Sequence, residues 1–176
     1  MTEIAGRYRR IADTFTARVI GVRDDAWDAP APCEGWVARD VVTHLVDWVP
    51  AMVMDGAHIP RPAFPDDPVG AWTALDGALT ALLADPDLAS RPIGERTAAE
   101  AVDRFVTPDI LIHTWDLARA TGQDETLDPD EVHRLYERML PHDEALRRSG
   151  HYGPAVEVPD HADEQTKLIA FTGRRP

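Results

Sequence analysis

Two nine-residue stretches place histidine and aspartate on a helical repeat: DVVTHLVDW at 40–48 and DILIHTWDL at 109–117. Each carries Asp, then His four residues on, then Asp three residues later. At about 100° per residue, those three positions fall within roughly 60° of arc on one helix face. Asp40, His44 and Asp47 therefore point one way, and Asp109, His113 and Asp116 do the same. The intervening residues are Val, Leu, Ile and Trp, with one Thr in each stretch. Both histidines thus belong to helices that bury most of their surface, where an imidazole needs a polar partner.

Asp and His four apart on a helix can grip one metal ion, by the geometry that puts two histidines on one face of a zinc-protease helix. Asp109 and His113, joined by His44 from a facing helix, would form a His₂Asp set. Three protein ligands leave at least one coordination position open, the arrangement of a catalytic rather than a structural metal site. Zn²⁺ is the expected ion, although Ni²⁺, Fe²⁺ and Mn²⁺ also accept imidazole and carboxylate. The spacing alone also admits a plainer reading, a local Asp–His hydrogen bond or ion pair. An internal repeat finds no support, because the residues flanking the two stretches are unlike.

The elements that must position these residues are helices. Apolar residues at Ile4, Tyr8, Ile11, Phe15, Val19 and Val22 make one stripe over 3–24. After a Pro- and Gly-broken loop, a second helix is expected from about Trp36 or Ala38 to Met54. Asp40 suits the positive end of its dipole, and Val37 stands where a capping Ser or Thr is usual. Four prolines between 55 and 68 mark a loop, followed by a third helix over 69–84 that stops at Asp85-Pro86. The short segment 87–97 has room for a brief extended piece. A fourth helix spans 98–121 and ends at Gly122, with Pro108 either kinking it or marking its effective start. A fifth, over 129–140, has Asp128 as N-cap and Pro129 at its first position. The stretch 141–160 reads as irregular, and 163–171 as a last short helix. The expected fold is all-α: a four-helix bundle with additional short C-terminal helices, one domain over 1–176, with the site built between facing helices.

Composition narrows the function classes. The formal net charge is −13, from 31 acidic and 18 basic residues, and it argues against nucleic acid as a partner. No apolar run approaches the roughly 20 residues of a membrane span, and the N-terminal stretch lacks a signal peptide's apolar core. A cytoplasmic protein is expected. The single cysteine, Cys33, rules out an internal disulfide and any multi-cysteine zinc site.

The residues GWVARDVVTHL (35–45) resemble the helix-two motif of the DinB-like superfamily, in which a Trp precedes an Arg-Asp pair and a metal-binding His. DILIHTWDLARATGQ (109–123) looks like the helix-four motif of the branch related to mycothiol-dependent maleylpyruvate isomerase. The ending from Ser149 onward is similar to the tail of an actinobacterial metal-binding subfamily of that branch. The resemblance implies a DinB-like four-helix bundle with a divalent metal held by His44, Asp109 and His113. The isomerase has Glu where this chain has Asp109. It also carries a second, C-terminal domain, for which this chain ends too early, so maleylpyruvate isomerisation itself is not expected.

The function expected is that of a thiol-dependent transferase or isomerase, with mycothiol as co-substrate and a small electrophile as substrate. A non-enzymatic metal-containing module for small ligands or stress response is the alternative, and a metal-free structural bundle a third. Asp47 and Asp116 are candidates for proton movement, and Asp116 equally for a structural pairing with an arginine. Arg119 is the candidate for binding a carboxylate of the co-substrate or substrate, with Arg39 and Arg104 behind it. Cys33 reads as a small packed residue, and Trp36, Trp48 and Trp115 as core around the site. His58, His133, His142, His151 and His161 read as surface histidines. A homodimer is compatible with all of this.

Overall fold

The computed structural model describes residues 2–148, 150 and 152–176; Ser149 and His151 lie outside the described residues. Helix α1 (Glu3–Ile20) starts where the Thr2 hydroxyl accepts the Ala5 N–H at 3.2 Å. It buries Tyr8, Ile11, Phe15 and Val19 and ends one turn sooner than the stripe suggests, because Gly21 caps it and a 3₁₀ turn follows at Asp24–Ala26. Helix α2 (Ala38–Val49) has half of a capping box: the Asp40 carboxylate accepts the Val37 N–H at 2.8 Å, and valine offers nothing in return. Its path continues through π-helical turns over Pro50–Asp55, so the proline does not end it.

Helix α3 (Pro68–Ala84) is capped by Asp67, whose carboxylate accepts the Gly70 N–H at 2.7 Å. A single turn, α4 (Pro86–Ala89), leads to a two-residue hairpin of β1 (Pro92–Ile93) and β2 (Arg96–Thr97). The expected fourth helix is one path in three pieces: α5 (Ala98–Ala101), a π segment (Val102–Val106) and α6 (Thr107–Thr121). A full capping box of Thr97 and Glu100 opens it, and Gly122, left-handed at φ 69°, closes it. Then follow α7 (Pro129–Met139), α8 (Asp143–Arg148) and α9 (Glu164–Phe171). The region read as irregular therefore begins with a 3₁₀ turn (Leu140–His142) that runs into a short helix, α8, supported by the i,i+4 pairs Asp143–Arg147 and Glu144–Arg148.

Around the bundle, α1 packs on α3 and α6, and α2 packs on the same two, closing a ring of four. A continuous core of Tyr8, Phe15, Leu45, Trp72, Leu79, Ile110 and Trp115 fills it, and α7 with α9 packs alongside. Among the described residues, no helix is long and apolar enough to cross a membrane.

Pro108 is accommodated by the π segment. Thr107 N–H reaches back five residues to the Val102 carbonyl, which takes away the usual partner of the Asp103 carbonyl. Pro108 has no N–H to give the Arg104 carbonyl. Arginines from two other helices fill both vacancies: Arg7 Nη1 donates to Asp103 O at 3.0 Å, and Arg138 Nη2 to Arg104 O at 3.3 Å. Arg7 also binds the Asp103 carboxylate and the buried Glu131, each at 2.6 Å.

Removing Arg7 strands Glu131, which is 1% exposed and keeps only Arg10 at 3.4 Å. Arg7→Met is expected to cost about 3 kcal/mol in urea unfolding. Arg7→Met combined with Glu131→Leu should recover much of that loss, since the stranded charge is the costly part. A single variant within about 0.5 kcal/mol of the parent would show that the cluster contributes nothing.

Candidate metal centre

His44 faces α6 from α2, one turn before Trp48 on its own helix. Its Nε2 stands 3.2 Å from Asp109 Oδ2, the same oxygen that accepts the Trp48 indole N–H at 3.0 Å. Asp109 sits in the first turn of α6, just beyond the π segment, and His113 lies one turn further on. His113 Nε2 is 3.5 Å from Asp109 Oδ1. One donor atom each from His44, Asp109 and His113 falls within 4.8 Å of the others. The two imidazoles meet edge to face with centroids 4.8 Å apart, and the Trp36 indole stacks on His113 at 5.9 Å and 17°.

Behind His113 a second set of contacts fixes the ring. Its Nδ1 is 2.8 Å from Asp116 Oδ2, and Asp116 is wholly buried. Arg174 grips that carboxylate with both arms, Nε to Oδ1 at 2.6 Å and Nη2 to Oδ2 at 2.7 Å. The same Nη2 is 3.3 Å from Cys33 Sγ. Cys33, His113 and Asp116 also lie close enough to share an ion. The Arg174 guanidinium already supplies the positive charge there, so this second group needs no metal.

The donor chemistry of the first group fits a divalent cation. The ionised Asp116 is an acceptor, so His113 donates from Nδ1 and, when neutral, leaves a lone pair on Nε2. That lone pair faces a carboxylate oxygen of Asp109, and two acceptors pointing at one another require a cation or a proton between them. A metal-binding histidine backed by a carboxylate is a recurring way of setting the tautomer. Exposure decreases inward: the side chains of His44 and Asp109 are 33% and 21% accessible, that of His113 only 5%. The group is thus open on the His44 side.

The electrostatics follow from the same contacts. Burial works to raise the Asp109 pKa, but the charges and hydrogen bonds of His113 and His44 outweigh it and hold the carboxyl below its ordinary value. Asp116 is likewise penalised by burial, yet the His113 hydrogen bond and Arg174 bring it down to about 2. Burial and the Asp116 charge push the Cys33 thiol up to about 12. Burial, and then the Asp109 charge, raise the Tyr152 hydroxyl.

His44, Asp109, His113 and Asp116 come together as their spacing suggested. Two expected residues do not join them. Asp47 is exposed on α2, outside the cluster. Arg119 pairs with Glu125 at 2.7 Å and lies over the Trp115 ring at 4.6 Å, because six residues of helix turn it away from His113. Arg39 is paired with Asp28 on the surface, and Arg104 lines a depression of about 310 Å³ with Glu95, Arg96, Glu100 and Asp103. The arginine that does reach the cluster is Arg174, which no local spacing singles out. Among the surface histidines, His133 is held by Glu164 at 3.0 Å.

The family model described as the mycothiol maleylpyruvate isomerase N-terminal domain matches residues 8–67, a span that includes His44 but neither Asp109 nor His113. Two uncharacterized proteins of Mycobacterium tuberculosis, from strains CDC 1551 and H37Rv, are each 32% identical to the chain over 174 residues, covering 95% of it and 95% of the relative. No solved structure matches the chain significantly.

The depressed Asp116 pKa has a consequence in acid. A carboxyl at about 2 when folded, against 3.8 ordinarily, adds stability that is fully present above about pH 4 and is lost as pH falls towards 2. The size is about 2 kcal/mol. In urea unfolding of the metal-free protein between about pH 2 and 6, Asp116→Asn should be less stable than the parent at the upper end, with the gap closing by roughly that amount at the lower. A gap that stays constant with pH would show that Asp116 is not held in this way.

Proposed function

Since the chain belongs to the family of the mycothiol maleylpyruvate isomerase N-terminal domain, we propose that it is a metal-dependent thiol transferase or isomerase for a small electrophile, with a mycothiol-type thiol as co-substrate. The observation that carries this reading is the convergence of two imidazoles and one carboxylate within 4.8 Å, open to solvent on one side and braced on the other. His44, Asp109 and His113 would hold the cation, Zn²⁺ being the first choice for this donor set. When bound, such a cation draws charge from a coordinated sulfur and lowers its pKa, so that a thiolate exists at neutral pH.

The chain's own residues do the rest. Asp116 and Arg174 keep His113 oriented, and the Trp48 N–H holds one oxygen of Asp109 in place. Trp36 packs against both imidazoles, its ring centroid 5.1 Å from that of His44 and 5.9 Å from that of His113. The thiol sulfur then forms a bond to an electrophilic carbon. If that carbon belongs to an activated double bond, its neighbour takes up a proton and the thioether is the product. Rotation about the former double bond, followed by loss of the same proton and expulsion of the thiol, completes an isomerisation with no net change in thiol. Asp116, already ionised and saturated by Arg174 and His113, is a poor proton carrier. That proton exchanges with water on the open His44 side of the cluster.

Purified protein loaded with Zn²⁺ should hold one ion per chain, and His44→Ala and His113→Ala should each abolish stoichiometric binding in elemental analysis. The loaded protein should transfer mycothiol to one or more of a panel of activated alkenes and epoxides. Near-zero metal in every preparation would sink the reading. Full occupancy without transfer of mycothiol, bacillithiol or glutathione would leave a metal-containing binding module instead.

A further inference from the structure

Helix α9 ends in a motif that delivers one side chain to the far side of the bundle. Arg174 N–H reaches back to the Ile169 carbonyl at 3.3 Å, and Gly173 N–H to the Ala170 carbonyl at 3.0 Å. This is the paired bonding of a Schellman cap, with Gly173 left-handed at φ 89°. A Cβ at Gly173 would stand 3.2 Å from the backbone of Gly153 and Pro154, so only glycine suits both the dihedral and the close approach. The next residue is Arg174, and its guanidinium closes on both oxygens of the buried Asp116.

We infer that Arg174 is a positioning residue for the metal centre, acting through Asp116 to hold His113 with its Nδ1–H bonded inward and its Nε2 turned to the ligand cluster. The inference rests on the metal reading proposed above. Its physical basis is the geometry of the fork. Asp116 Oδ2 takes the Arg174 Nη2–H at 2.7 Å and the His113 Nδ1–H at 2.8 Å together, while Oδ1 is fixed by Nε at 2.6 Å. With both oxygens pinned, the carboxylate cannot rotate, and the imidazole it supports cannot tilt or flip. Without Arg174, a fully buried carboxylate would keep one weak thiol contact, Cys33 at 3.6 Å, and one histidine. The plane of the His113 ring would then be set by packing alone. The segment after α9 thus reaches the ligand cluster through Asp116, although Arg174 is not one of its three members.

The test uses the full chain with Arg174→Gln, Arg174→Lys and Gly173→Ala, and with the exposed Arg175→Gln as control. Nitrogen-15 NMR of the metal-free protein reads the His113 tautomer; cobalt(II) titration reads affinity and the visible ligand-field spectrum. The parent and Arg175→Gln should show a single His113 species whose Nδ1–H is bonded to Asp116. Arg174→Gln and Gly173→Ala should give a mixture, a changed cobalt spectrum and affinity weaker by about 10–100-fold. Gly173→Ala moves the arginine without removing its charge, and so separates placement from net charge. Arg174→Lys, with one donor point in place of the planar fork, should recover part of the affinity. Parent-like tautomer and affinity in Arg174→Gln would overturn the inference while leaving the metal reading intact. A parent that binds no cobalt, with the tautomer still shifting in the variants, would end the metal reading and keep the hold of Arg174 on His113.

Discussion

A helix cannot carry proline in its interior without surrendering hydrogen bonds, and Pro108 lies in the middle of the longest helical path. The chain answers with one wide turn, Val102–Val106, immediately before the residues of the candidate site. That turn rotates everything after it, so the direction in which Asp109 and His113 face is set by how residues 102–107 are wound. The turn leaves two carbonyls without helical partners, and arginines from α1 and α7 supply them. The register of the site, the docking of α1 and the docking of α7 are thus one problem with one solution. Arg7, drawn inside to serve it, brings Glu131 and Asp103 along as counter-charges.

The same rule governs the opposite end of α6. Three groups that prefer water, His113, Asp116 and Arg174, are taken inside and tied to each other in series. Among the described residues, no buried side-chain nitrogen or oxygen lacks a partner. Each of these buried groups is held in one orientation by its neighbours in the series. Here the series ends on a ring nitrogen that faces two further donors.

Much of this was legible in the chain before any coordinates. The stripe of α1, the proline-rich loop, the cap at Asp128 and the Asp–His spacings are local signals, and each became the element or the juxtaposition it suggests. The misreadings were also local. Val22 extended the stripe of α1 past a glycine, and Asp143 to Arg148 looked too broken to coil. What stayed hidden is contact between distant segments. Arg174 meets Asp116 across 58 residues and Cys33 across 141, and no periodicity encodes such a meeting. Arg119, nearer in sequence to His113, looked the better candidate until the helix was seen to turn it towards Glu125. Trp48 gave no hint that its indole nitrogen, rather than its ring, is what the site uses.

Cys33 stands beside all this with a thiol held at about 12. At neutral pH this sulfur is a thiol rather than the thiolate that attacks disulfides and peroxides. Burial first, and the Asp116 charge with it, makes this sulfur a poor nucleophile. The carboxylate that bonds His113 Nδ1 thus also quietens the cysteine beside it.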